Sequence, residues 1–167
     1  MRCLVVLFDE LGLANKLKSV LEKGFKFEVE IVRAKKPECL ARENQLNASD
    51  FLGELSIIRR KHSCDVAIGL TASDLFYRDL NFVFGLASFA TKCCIVSWHR
   101  LRQAEQLFSK RLVKECLHEL GHVLGLQHCQ NRQCVMSFSN SLAEVDEKQA
   151  AYCSNCTKQI AEYLRLK

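Results

Sequence analysis

One proline, Pro37, stands in 167 residues, and no Pro/Gly-rich linker, low-complexity tract or internal repeat interrupts the chain. Those absences exclude a string of tethered modules, and the length suits one compact domain with a small appended part. No apolar run approaches membrane-spanning length. The first ten residues are apolar for only six positions before Asp9 and Glu10, too short for a bilayer span or for the apolar region of an export signal. A cytoplasmic location is therefore expected, where thiols stay reduced. Nor is there a strong excess of one charge. Twenty-four basic against 19 acidic residues give +5, spread along the chain, with only Lys35-Lys36 and Arg59-Arg60-Lys61 as short clusters. Solvated faces account for these better than a nucleic-acid patch. Neither nucleic acid nor membrane is an expected partner, and the chain is expected to be a monomer.

What is abundant is apolar side chain, 49% of the residues, and cysteine, of which there are ten. A chain of this size buries a real core without staples, so in a reducing compartment ten cysteines point to metal ligands or buried thiols rather than a disulfide framework. Residues 2–8 form a β-branched and apolar run, hence a strand. Residues 10–23 carry Leu11, Leu13, Leu17 and Val20 at helical spacing, with Gly24 placed to end the helix. Residues 25–32 alternate as a half-buried strand, 39–60 have a mostly helical composition, and 65–70 fit an interior strand. Residues 81–90 and 94–98 are further strands, and 101–126 are again helical. This alternation implies right-handed crossovers and a mostly parallel sheet in an α/β fold. After Leu126 the texture changes: 127–142 are irregular, followed by short closing helices at 144–151 and 157–166. The expected organisation is one domain over 1–167, with an upper α/β part at 1–126 and a smaller C-terminal part at 127–167.

Three of the five histidines lie in His118-Glu119-Leu120-Gly121-His122-Val123-Leu124-Gly125-Leu126-Gln127-His128. On a helix, His118 and His122 share one face within reach of one ion, and Glu119 sits on the flank, able to reach a water instead of the metal. A continued helix would carry His128 about 9 Å further along the axis and turn it away. Zinc–nitrogen bonds of about 2.0–2.1 Å do not tolerate that offset. The helix must stop, and Gly125 can take the positive φ that turns the chain back. Three imidazoles leave the fourth position of a tetrahedral zinc open, the arrangement of a catalytic site.

At these residues the chain resembles the metzincins, whose zinc motif is HExxHxxGxxH. It is most similar to their archaemetzincin branch, through Cys129 directly after the third histidine, Cys134-Val135-Met136, the run from Ser137 to Leu142, and Cys153-Ser154-Asn155-Cys156. The stretch 74–86 also looks like that family. The resemblance implies a twisted mixed sheet flanked by helices, an active-site helix, and a smaller C-terminal part below the cleft. It implies that Met136 forms a hydrophobic turn beneath the ligands. It also implies that Phe82, Val83, Phe84, Gly85 and Leu86 form an exposed sheet edge where an extended peptide adds as a strand; that role belongs to the backbone, and for the side chains of Phe82, Val83 and Phe84 core packing is the better reading. No tyrosine follows closely after Met136 to act as a further ligand; the next is Tyr152.

Cys129, Cys134, Cys153 and Cys156 make a C-x4-C and a C-x2-C pair. Four thiolates complete a tetrahedral zinc with no open position, so this site would be structural. Because successive side chains of extended chain point to opposite sides, two ions flanking the His128–Cys129 junction are expected rather than one crowded site. Disulfides and unliganded thiols are the competing readings. Cys3, Cys39, Cys64, Cys93, Cys94 and Cys116 show no ligand spacing to one another and are expected as small buried hydrophobes. The expected function is hydrolysis of peptide bonds in peptides or unfolded polypeptide by zinc-activated water, with Glu119 as general base. The alternative is a zinc-stabilised peptide- or protein-binding module with little turnover.

Overall fold

A computed structural model describes residues 1–166. Its elements, in order, are β1 (Arg2–Leu7), α1 (Ala14–Phe25), β2 (Glu28–Arg33), β3 (Ala41–Arg42), β4 (Gln45–Asn47), α2 (Ala48–Lys61), β5 (Val66–Thr71), β6 (Asp74–Tyr77), β7 (Leu80–Val83), β8 (Gly85–Ser88), β9 (Cys93–Ser97), α3 (Glu105–Val123), α4 (Leu142–Glu147) and α5 (Ser154–Arg165).

The main sheet runs β2-β1-β5-β9-β8. Its first four strands are parallel, and β8 returns antiparallel to β9 at the margin. β1 is buried on both faces, and its side chains alternate between two cores as a strand requires. Cys3, Val5 and Leu7 meet Leu17 and Leu21 of α1 and Leu112, Leu117 and Leu120 of α3 in one apolar cluster. Leu4, Val6 and Phe8 belong to the other cluster, with Phe51 and Leu55 of α2. The result is a three-layer α/β/α body. No helix among the described residues is long and apolar enough to cross a membrane.

Four local readings of the sequence need correction. The helix expected to end at Gly24 continues to Phe25, and Lys26, at φ 56°, takes the left-handed turn instead. It therefore also removes Phe25 from the strand expected at 25–32. Residues 39–60 are not helical throughout: a hairpin of β3 and β4 precedes α2, and Asn47 caps that helix by accepting from the Ser49 N–H. β6 was not anticipated at all. Residues 81–90, read as one strand, divide at Phe84: β7 pairs with β6 in a second sheet, ordered β3-β4-β6-β7, while β8 joins the main sheet. Phe84 is 6% exposed and packs into the α1/α3 core, so its burial drives the change of sheet.

Candidate metal centres and substrate cleft

α3 crosses the face of the main sheet and packs against β8 and β9. Its end is set by backbone hydrogen bonding. Gly125 takes φ 94°, its N–H donates to the His122 carbonyl, and the Leu126 N–H donates to the Gly121 carbonyl. This is the paired bonding of a Schellman stop, which satisfies two otherwise orphaned carbonyls and reverses the chain. The reversal brings His128 back. Ring centroids stand 4.8 Å apart for His118–His122, 4.8 Å for His122–His128 and 5.3 Å for His118–His128.

The same reversal orients the rings. His118 Nδ1 lies 2.8 Å from the Val135 carbonyl oxygen, and His122 Nδ1 lies 2.8 Å from that of Leu126. A carbonyl only accepts, so each Nδ1 carries the hydrogen and each Nε2 presents a lone pair. Those two Nε2 atoms face one another at 3.2 Å. Two acceptors at that distance require something positive between them. Zinc–nitrogen bonds of 2.0–2.1 Å in a tetrahedron put ligand atoms roughly 3.3–3.4 Å apart, so the donor set fits zinc. Burial drives the pKa of His118 down to about 3 and also lowers those of His122 and His128, which keeps the imidazoles neutral and available.

Glu119 is 6% exposed and lies against β8. Burial, then the charge of Glu115, pushes its pKa up to about 8; a dication among the neighbouring imidazoles opposes that shift. Its side chain has room only because residue 85 is glycine: a Cβ there would stand 2.6 Å from Glu119 Cγ and 2.8 Å from its Oε1. Gly121 plays the same part on the opposite face of α3. A Cβ on it would run into the sulfur of Met136, which is fully buried, and would meet Tyr152 Cε1 at 3.2 Å. Tyr152 donates its hydroxyl to the Leu117 carbonyl at 2.5 Å, which ties it to the α3 backbone.

The thiols form a separate group. Sγ atoms of Cys129, Cys134, Cys153 and Cys156 all lie within 4.8 Å of one another. The Cys129–Cys153 and Cys134–Cys156 separations are 3.8 Å each. Zinc–sulfur bonds of about 2.3 Å predict close to 3.8 Å between tetrahedral thiolates, so this set fits zinc as well. All ten cysteines are free. The Cys153 N–H points at Cys134 Sγ at 3.3 Å, support of the kind that tunes a liganding thiolate. The Cys153 pKa falls to about 7, chiefly through the backbone N–H of Cys156. His128 and Cys129 thus belong to two different clusters. Of the remaining cysteines, all but the half-buried Cys39 are buried.

A cleft of ≈ 480 Å³ runs between these imidazoles and the β7–β8 edge. Phe82, Val83, Phe84, Gly85 and Leu86 all line it, together with His118, Glu119, His122, His128 and Phe138. The Phe138 ring meets His128 edge to face at 5.2 Å. Among the described residues β8 pairs only with β9, which leaves its cleft-facing backbone edge unpaired.

A sequence model of Peptidase family M54 matches residues 15–162. The chain belongs to that family. Among curated relatives, an archaemetzincin of Pyrococcus furiosus is 43% identical over 128 residues, which span 72% of this chain and 67% of the relative. The crystal structure of the archaemetzincin of Methanopyrus kandleri superposes with a TM-score of 0.89 at 37% identity, over 99% of this chain and 96% of that one. A zinc-dependent peptidase of Methanocorpusculum labreanum is similar at TM-score 0.85 and 27% identity, over 96% and 100%. The M54 chain is accordingly a zinc metallopeptidase with the mixed α/β fold of the archaemetzincins. Sequence reasoning missed the roles of Gly85 and Gly121, and it also missed Glu115, which lines the cleft, and its buried partner Lys148. Lone glycines and an isolated lysine carry no spacing signal. Glu115 did stand on the histidine face of the helix, at i−3 from His118, where it could have been noticed.

Proposed function

We propose that the chain hydrolyses peptide bonds with zinc held by His118, His122 and His128 and with Glu119 as general base. The observation that carries this is the facing pair of Nε2 acceptors, 3.2 Å apart, whose Nδ1–H groups are committed to carbonyls. Zinc bound there supplies a Lewis acid that polarises a carbonyl and lowers the pKa of water to about 7. Glu119 takes a proton from the attacking water and gives it to the leaving amine nitrogen, as the C–N bond breaks and carboxylate and amine form. Its burial keeps this transfer away from bulk solvent. The unpaired edge at Phe82–Leu86 receives an extended peptide by main-chain hydrogen bonds, so the substrate is unfolded polypeptide or a short peptide. Family membership favours turnover over a zinc-stabilised binding module.

The same reading assigns a second, structural zinc to Cys129, Cys134, Cys153 and Cys156, two ions per chain. It treats 1–126 as the upper catalytic part, and 127–167 as a smaller part carrying the Met136 turn and the thiolate site. A monomer in a reducing, cytoplasmic setting suits ten free thiols. Glu119→Ala tests the assignment. It is expected to keep both metals and the fold while losing about 10²–10⁴-fold in peptide cleavage; undiminished cleavage would overturn the general-base role.

A further inference from the structure

One turn before Glu119 on α3, Glu115 lines the same cleft, yet it is only 3% exposed. It therefore sits at the cleft's inner end. Lys148 lies behind it, its Nζ 2.9 Å from Glu115 Oε1, with the two side chains 1% and 4% exposed. The ammonium also donates to the Ser137 carbonyl at 3.4 Å. Lys148 and Glu115 thus form a buried ion pair through Oε1. The mechanism above uses neither residue.

We propose that Glu115, backed by Lys148, is the polar end of the substrate side-chain pocket. It selects a substrate residue with an apolar stem and a neutral N–H or O–H at its tip, such as glutamine or tyrosine. The walls leading to it are apolar: Val83, Phe84, Leu86 and Ala87 line the cleft, so a hydrocarbon stem is accommodated. A carboxylate offers about four lone-pair positions, and a single ammonium cannot use them all. A cation at the tip is disfavoured, because Lys148 already balances the charge of Glu115 and would repel a second positive group at close range. A purely aliphatic side chain brings no donor to the remaining lone pairs, and an anionic one meets a like charge.

This inference rests on the peptidase reading for the cleft but is tested apart from turnover. The test measures, by calorimetry, binding of short acetylated peptides to the zinc-loaded Glu119→Ala protein. The peptides share one sequence and differ at a single central residue: Gln, Tyr, Leu, Lys or Glu, scanned through successive positions. The expected result is about tenfold tighter binding of Gln or Tyr than of Leu at one position, with Lys and Glu weaker still. Equal affinities, or a preference for Leu, Lys or Glu, overturn the proposal. In the same background, Glu115→Leu combined with Lys148→Met removes both charges, an exchange that buried ion pairs commonly tolerate. It is expected to reverse the preference toward Leu; an unchanged Gln preference would overturn the role of the pair. Should that variant not fold, Glu115→Asp shortens the receptor by one methylene and must weaken Gln relative to Tyr, and an unaltered ratio again overturns it. A binding preference in a protein whose parent cleaves nothing would remove the peptidase reading and leave the pocket standing, whereas cleavage without preference would do the reverse.

Discussion

At the scale of single residues, the site depends on atoms that are missing as much as on those present. Gly85 shows this most directly. Its φ lies outside the left-handed region, so alanine is allowed by the backbone, and the only obstacle is Glu119 at 2.6 Å. Gly85→Ala must therefore push the carboxylate aside by about 1 Å, a displacement that costs on the order of 100-fold in rate. The expected signature is a lowered kcat with full zinc content and an unaltered melting temperature. An unchanged kcat would show that Glu119 does not work from this position. His118 and His122 could be read from sequence because they stand one helical turn apart with Glu119 between them, and His128 because Gly125 offers a stop before it. The four thiols could be read because two short spacings together suffice for a tetrahedron. Gly85, Gly121 and Lys148 could not, since each acts on a residue distant along the chain, and only the fold brings them into contact.

At the scale of elements, α3 carries His118, Glu119 and His122, and its two ends are fixed in different ways. Its C-terminal stop needs the positive φ of Gly125. In Gly125→Ala a Cβ meets strain at φ 94° and lies 3.3 Å from Phe89 Cε2; a loss of about 1 kcal/mol is expected. Weaker zinc retention should accompany it, because His128 follows this turn. Metal titration against a chelator tests the second effect, and wild-type affinity would separate the turn from ligand placement. Toward its N-terminal half, buried Arg111 forms a bidentate pair with Asp146, Nε–Oδ1 2.8 Å and Nη2–Oδ2 2.5 Å, tying α4 to α3. The Arg111 hydrogen bonds hold the Asp146 carboxyl below its usual pKa. A carboxylate whose folded pKa is depressed stabilises the fold above the unfolded value of about 3.9, and that contribution fades as pH falls through the folded value. Melting temperatures of the parent and Asp146→Asn should therefore differ at pH 6 and converge below about pH 3.9. A gap that persists undiminished into strong acid would mean that the pair contributes no such linkage. The order of strands and helices was legible at this scale from hydrophobic period. The hairpin at 41–47 and the switch at Phe84 were not, because a two-residue strand has no period and a change of sheet leaves the alternation nearly intact.

At the scale of the whole molecule, the two parts of the chain are held by different physics. Residues 1–126 supply both faces of a sandwiched sheet and most of the fully buried aliphatic side chains. In contrast, 127–153 contribute few such residues, among them Cys134, Val135, Met136 and Val145. That stretch nevertheless places His128, accepts from His118 through the Val135 carbonyl, and seats Met136 under Gly121. With so little apolar area to offset its chain entropy, it would draw its order from the second zinc proposed at the four thiolates, and structural zinc contributes on the order of 10 kcal/mol to such segments. Removing that zinc, by Cys153→Ser or by a strong thiophilic chelator, is expected to release 127–156 while the sheet survives. Hydrogen exchange should then show protection lost across 127–156 and α5 but retained in β1, β5 and β9. Catalytic zinc should leave too, because His128 loses its support and His118 loses the carbonyl that fixes its tautomer. The decisive contrast is with the reverse manipulation. Stripping only the imidazole-bound metal, by His122→Ala, should abolish cleavage without exposing 127–156. If both treatments gave the same exchange pattern, the thiolate site would not be the device that holds the lower part in place.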